Sequence, residues 1–204
     1  MIEDIINKFN NYKPYINGYE KMKRASVLIP LVKEDDKYFI LFELRSKKMR
    51  NQPGEISFPG GKIEYGESPK EACIRETCEE LGTTKDNINI ISPLDVYVSH
   101  ANLIIHPYLG VINDISNLNI NKDEVDHTFL VPISYLMEHD PNLYTNDVKI
   151  VPNKEFPYDK IPNKEKYQFA VGEYPVWFYE YKDYVIWGIT ARILENFLNF
   201  IKAK

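Results

Sequence analysis

The sequence predicts an α/β fold in which a mixed sheet lies between helices, and three observations point there. Segments with the helical period stand at 2–9, 69–81 and 188–202, and between them lie short runs rich in β-branched and aromatic residues. The two kinds of segment mingle without strict alternation, which favours a mixed sheet over an all-parallel one. A chain of 204 residues, 44% hydrophobic and 27% charged, is long enough to bury one sizeable core. It carries no internal repeat, low-complexity tract or interdomain linker. Residues 1–204 therefore read as one domain, with 1–20 as a helical N-terminal extension.

In chain order, Ile2, Ile5, Ile6 and Phe9 recur at helical spacing and predict a helix over 2–9. Residues 25–33 and 37–45 read as two strands joined by the acidic turn Glu34-Asp35-Asp36. Pro30 has no ladder donor, so the first should be an edge strand or carry a bulge. A loop rich in Lys, Arg, Asn, Gln and Gly follows over 46–57, then Phe58-Pro59-Gly60-Gly61 and a helix over 69–81. Strands are expected around 88–99, 104–112 and 125–131, with a short helix around 133–139. Residues 151–166, dense in Pro, Lys and Asn, read as a surface loop. The Tyr- and Trp-rich stretch 174–187 returns to strand, and 188–202 closes as a helix.

Charge narrows the function. Lys plus Arg number 25 and Asp plus Glu 30, a net charge of −5. Such a chain lacks the broad positive field a phosphate backbone demands, so nucleic acid is a poor partner. An anionic small molecule would need a local basic cluster or a bound metal. The apolar runs fall far below the roughly 18 residues of a membrane span, and the N-terminus has no apolar leader. Cys73 and Cys78, five apart in one helix, are badly placed to pair. A cytoplasmic protein with no membrane role is the expectation.

The helix over 69–81 is the best specified element. Ser68-Pro69-Lys70-Glu71 forms a capping box with Pro at the first helical position, and Gly82 supplies a left-handed stop. At about 100° per residue, Ile74, Thr77, Cys78 and Leu81 fall on one face, expected to be buried. Glu76, Glu79 and Glu80 cluster opposite. Carboxylates this close repel, and hard divalent cations offset that repulsion by binding carboxylate oxygens.

Residues 61–83 read G-KIEYG-E-SPKEACI-R-E-T-C-E-E-L-G-T. This resembles the Nudix box, G-x5-E-x7-R-E-U-x-E-E-x-G-U, with U a bulky aliphatic residue. Gly61, Glu67, Arg75, Glu76, Glu79, Glu80 and Gly82 fill every fixed position; Thr77 and Thr83 stand where the pattern prefers an aliphatic side chain. The resemblance implies an α/β/α sandwich that hydrolyses a nucleoside diphosphate linked to another moiety, with Mg2+ or Mn2+. By the family pattern Glu76 and Glu80 would be principal metal ligands, and Glu79 a ligand or the base for the attacking water. Arg75 would orient the carboxylates. Glu67 would pair with Arg75 or reach metal through water, and the carbonyl of Gly60 or Gly61 is a further candidate ligand. Bases vary in position across this family, so Glu124, before a strand, is either a second catalytic acid or a solvated turn residue.

Upstream, Arg45-Ser46-Lys47-Lys48-Met49-Arg50 concentrates cations within an acidic chain. The stretch from Leu41 to Gly61 is similar to the coenzyme A pyrophosphatase signature LLTxRSx3Rx3Gx3FPGG, a Nudix subgroup. Leu41, Arg45, Ser46, Arg50, Gly54, Phe58, Pro59, Gly60 and Gly61 match; Phe42 departs mildly, and Glu43 replaces a small hydroxyl residue with a charge. Residues 186–194 also resemble that subgroup's last strand and helix. The likeness implies cleavage of CoA or an acyl derivative to 4′-phosphopantetheine and adenosine 3′,5′-bisphosphate, with Arg45, Ser46, Arg50, Gly54 and Phe58 toward the substrate. Alternatively Arg45 and Ser46 only fix the loop, and Lys47 and Lys48 are solvated.

Two other readings stand beside this one. The box alone would suit another nucleoside diphosphate derivative, such as ADP-ribose or a dinucleoside polyphosphate. A nucleotide sensor without turnover is the other, although such proteins typically have damaged boxes. Four histidines show no metal spacing; His100 alone, at the end of a strand, is a candidate to line the pocket. Most of the Tyr and Trp of 174–187 are expected to pack rather than stack on a base. Nudix domains often form homodimers, which is a family expectation only.

Overall fold

The computed structural model describes residues 2–203. Its centre is an eight-stranded mixed sheet whose main path runs β3 (Ile56–Ser57), β2 (Lys37–Arg45), β1 (Lys23–Glu34), β7 (Leu103–Ile112), β5 (Ile88–Pro93). Off this path, β4 (Gly60–Lys62) pairs with β1, β6 (Tyr97–Ser99) with β7, and β8 (Val125–Pro132) with β2. The β1–β7 pairing is parallel, whereas β1 meets β2 and β4 antiparallel, so the sheet is mixed as expected.

Pro30 does not mark an edge. β1 lies inside the sheet: β4 covers Ala25 to Val27, and β2 takes over at Leu31. The Leu28 N–H points away from β7 to donate to the Pro59 carbonyl at 2.8 Å. The Pro30 nitrogen, two residues on, therefore faces the same side, in the gap between β4 and β2 where no donor is required.

Side-chain alternation divides the core between the two faces of the sheet. Leu28, Val32, Leu41, Ile88 and Ile112 pack with Cys73 and Leu81 of α2 (Pro69–Leu81). Ile29, Ile40, Phe42, Ile105 and Val131 pack on the other face. They meet Leu136 of α3 (Ile133–Glu138) and Leu194, Phe197 and Leu198 of α4 (Gly188–Lys202). Helices thus cover both faces, the α/β/α arrangement. Along β2 the parity is explicit: Ile40 and Phe42 face α4, Leu41 faces α2, and Glu43 is the next residue on the α2 side.

The C-terminal third differs from the sequence reading. The single strand expected over 174–187 is a hairpin, β10 (Val171–Tyr181) and β11 (Tyr184–Trp187), which turns through Lys182 at φ 54°. An unexpected strand, β9 (Asn142–Lys149), joins β10 to complete a separate three-stranded sheet. It is almost wholly exposed, so it carries no buried alternation to announce it. The run 88–99 also breaks, giving β5 and β6 along different parts of β7. The N-terminal helix α1 (Ile2–Phe9) forms where expected and buries none of its residues.

Candidate active site

The site is built where α2 crosses the Gly60-Gly61 turn. The Ser68 hydroxyl accepts the Glu71 N–H and the Glu71 carboxylate accepts the Ser68 N–H, so the expected capping box forms. Gly82 ends the helix at φ 60°, ψ 40°. It also lets the loop before β8 approach, since a Cβ there would stand 1.8 Å from the Asn119 carbonyl oxygen.

The buried face of α2 is rotated from the expected one. Ala72, Cys73, Thr77, Glu80 and Leu81 are buried, while Ile74 and Cys78 are only partly so. Glu80 is therefore not on a solvated face with Glu79: it is 5% exposed, whereas the Glu79 side chain is 55% exposed. Glu80 Oε2 accepts the Gly60 N–H at 2.7 Å. Burial pushes its pKa up to about 7, with Glu76 and Glu124 adding repulsion against the lowering influence of Gly60 and Arg45.

Arg75 organises the remaining box carboxylates. Its Nε and Nη2 donate to the two Glu67 oxygens at 2.9 and 3.0 Å. Nη1 donates to Glu76 at 2.9 Å and to Glu79 at 3.1 Å, and Nη2 also reaches the Lys62 carbonyl at 3.0 Å. Its hydrogen bonds hold Glu67 below the usual carboxylate range, while burial raises Glu76 despite the Arg75 contact. Gly61 makes room for Glu76: a Cβ at 61 would lie 2.5 Å from that carboxylate.

The turn carrying Glu124 is tied at two points to this cluster. The Asn121 N–H donates to the Glu80 carbonyl at 2.9 Å, closing the end of α2, and the Ser46 N–H donates to the Glu124 carbonyl at 2.8 Å. The Glu124 carboxylate is near enough to raise the pKa values of Glu43, Glu76 and Glu80. It thus stands beside the box rather than in a remote solvated turn.

Sequence reasoning left Glu43 without an orientation. The structure buries it to 1% exposure, within hydrogen-bonding reach of Glu80. Desolvation first, then the Glu80 charge, push its pKa well above the ordinary value. The parity of β2 was the available signal, since residue 43 follows 41 onto the α2 face.

Among the described residues no set of three His, Cys, Asp or Glu side chains already converges on one point. Glu76 and Glu79 are turned onto Arg75, and Glu80 onto Gly60. The residues nevertheless fit a divalent cation. The donors are carboxylates, the class Mg2+ and Mn2+ prefer. Glu43 Oε1 is buried without a hydrogen-bond partner, and Gly61 leaves space in front of Glu76.

Beside the Gly-Gly turn lies a cavity of about 630 Å3. Lys23, Arg24, Arg45 and Lys62 bring cations to its wall, and Phe58, Leu103, Ile105, Ile189 and Ile193 give it an apolar side. Of the expected substrate residues, Arg45 and Phe58 line it; Ser46, Arg50 and Gly54 do not. Ser46 is buried and its hydroxyl accepts the Lys48 N–H at 3.4 Å, Gly54 closes the loop onto the Arg45 carbonyl at 3.1 Å, and Arg50 is exposed. Lys48 is engaged by Asp123 at 3.0 Å. Lys23 and Arg24 start β1 and Lys62 ends β4, and only the pairing of these strands brings them to one wall. His100 lies in a different depression, edge-on to Tyr174.

Comparison with known proteins agrees with this geometry. A NUDIX domain model matches residues 22–170. Nudix hydrolase 3 of Caenorhabditis elegans is 31% identical over 180 residues, 86% of this chain and 72% of that protein. The peroxisomal coenzyme A diphosphatase NUDT7 of Mus musculus is 33% identical over 122 residues; the match spans 59% of this chain and about half (51%) of the mouse enzyme. A solved binary complex of a C. elegans Ap4A hydrolase overlays with a TM-score of 0.47 at 21% identity, covering 57% of this chain and 84% of that one. With its box on a strand–turn–helix unit and the domain match over most of its length, the chain belongs to the Nudix family, hydrolases of nucleoside diphosphate derivatives that generally use divalent metals.

Proposed function

We propose that this Nudix hydrolase cleaves the diphosphate linkage of coenzyme A or its acyl derivatives with Mg2+ or Mn2+, releasing 4′-phosphopantetheine and adenosine 3′,5′-bisphosphate. The observation that carries the reading is the cavity beside Gly60-Gly61, in which Lys23, Arg24, Arg45 and Lys62 stand against an apolar wall. CoA combines a diphosphate and a further phosphate with a long, weakly polar arm, and this lining has a counterpart for each. The loop signature and the similarity to the mouse CoA diphosphatase point the same way.

In this reading Glu76, Glu79 and Glu80 hold the metal, with the Gly61 turn beside them. Bound cations would neutralise the diphosphate and acidify the attacking water. Arg75 keeps Glu76 and Glu79 aligned, Arg45 meets phosphate, and Glu79 or Glu124 takes the proton from the attacking water. Ser46, Arg50 and Gly54 shape the loop that presents Arg45.

The test compares kcat/KM for CoA, an acyl-CoA, dephospho-CoA and ADP-ribose. CoA or acyl-CoA should exceed ADP-ribose by at least about tenfold, the effect of one charge-assisted contact. Dephospho-CoA should fall between them, and Arg45→Ala should lower the CoA value. Equal turnover of CoA and ADP-ribose would replace the CoA assignment with a general nucleoside diphosphatase.

A further inference from the structure

On β2, two residues before Arg45, this chain carries Glu43 where the resembled signature has a small hydroxyl residue. Its position is set by the sheet: strand parity turns it toward α2, and it is the register partner of Ser57 on β3. It is 1% exposed and lies against Glu80, itself 5% exposed. Glu43 Oε1, Ser57 Oγ and Arg45 Nε are all buried and all lack a hydrogen-bond partner. Orphaned polar atoms are rare inside proteins, and three on adjoining strand positions mark an incomplete site.

The charges say what is missing. Glu80 and Glu124 repel Glu43, and Glu76 and Glu124 repel Glu80, while Arg45 is the cation that acts on both Glu43 and Glu80. Arg75 is committed to Glu67, Glu76 and Glu79. Buried like charges need compensation, and a buried carboxylate oxygen without a donor, such as Glu43 Oε1, is a ligand for a hard divalent ion.

We infer that Glu43, from outside the Nudix box, supplies a further buried carboxylate ligand beside Glu80 to the divalent-cation site beneath the Gly60-Gly61 turn. Arg45 and Ser57, whose Nε and Oγ are buried without partners behind it, also line the adjoining cavity. The inference rests on the metal-dependent reading of the site, but it concerns ion binding and not the identity of the substrate.

The experiment titrates metal-stripped protein with Mn2+, without nucleotide, and counts free and bound ion by electron paramagnetic resonance. Wild type is compared with Glu43→Gln, which keeps the shape and removes the charge, and with Glu43→Thr, the residue type of the signature. Both variants should bind fewer Mn2+ ions or bind the tightest at least about tenfold more weakly. The rise in Tm on adding Mn2+ should shrink in step. Unchanged isotherms and an unchanged Mn2+-induced Tm rise in whichever variant folds would overturn the inference, leaving Glu43 and Glu80 a pair held by a shared proton. Failure of the CoA reading shows separately, as wild-type protein that binds Mn2+ but does not cleave CoA.

Discussion

Glu80 shows how one side chain joins stability to chemistry. Its carboxyl is buried, accepts one N–H from Gly60, and has a pKa raised from 4.5 to about 7. An acid raised in the folded state stabilises the fold below its unfolded pKa and loses that contribution as pH rises through the folded value. For metal-free protein the loss falls between about pH 4.5 and 7. Glu43 and Glu76 are raised too and act in the same sense. The lowered acids Glu67, Glu71, Asp114 and Asp126 act at lower pH, and His106, lowered by burial, opposes the three raised acids just below pH 6.5 without outweighing them. Urea unfolding in EDTA should therefore show stability falling across this window, with Mg2+ removing most of the slope; stability rising from pH 5 to 7 would contradict it. Glu124 makes a separate prediction. If it takes the proton in the chemical step, Glu124→Gln lowers kcat by about 100-fold or more, a larger factor than the loss of Mn2+ affinity from removing one nearby charge; a near-normal kcat removes it from the chemistry.

At the scale of elements, α2 was legible because its ends are written locally. The capping box and Gly82 define the expected range 69–81, and the helix spans Pro69–Leu81. Its buried face was less legible, because a polar residue such as Glu80 is assigned to water unless a partner element supplies an N–H. That partner, Gly60, is twenty residues away and held by sheet pairing. β9 shows the opposite limit: its residues are polar and exposed, and only pairing with β10 makes them a strand. Two glycines of the α2 unit are separable by mutation. Gly82→Ala meets the Asn119 backbone and a left-handed φ, so it should destabilise by more than about 1 kcal/mol in urea unfolding. Gly61→Ala first meets the flexible end of the Glu76 side chain. Its Tm should move little while its diphosphatase activity falls at least about tenfold. A large Tm loss with normal residual kcat would reverse that assignment.

For the whole molecule, the net charge of −5 conceals opposed local fields. Acidic groups gather between β2, α2 and the turn before β8, and Lys23, Arg24, Arg45 and Lys62 gather on the adjoining cavity wall. The family, the layer order and the box were readable because they rest on spacing within short segments. Of the cavity's cations Arg45 was readable from the loop signature, whereas Lys23, Arg24 and Lys62 were not, because β1 and β4 contribute them and only the fold assembles them. The small second sheet was also unforeseen. Purified protein should be incubated with CoA and Mg2+ or Mn2+, and the products separated and identified by mass. The products should be 4′-phosphopantetheine and adenosine 3′,5′-bisphosphate in equal amounts, abolished by EDTA and strongly reduced in Glu80→Gln. Intact CoA under conditions where the same preparation cleaves ADP-ribose would contradict the CoA assignment.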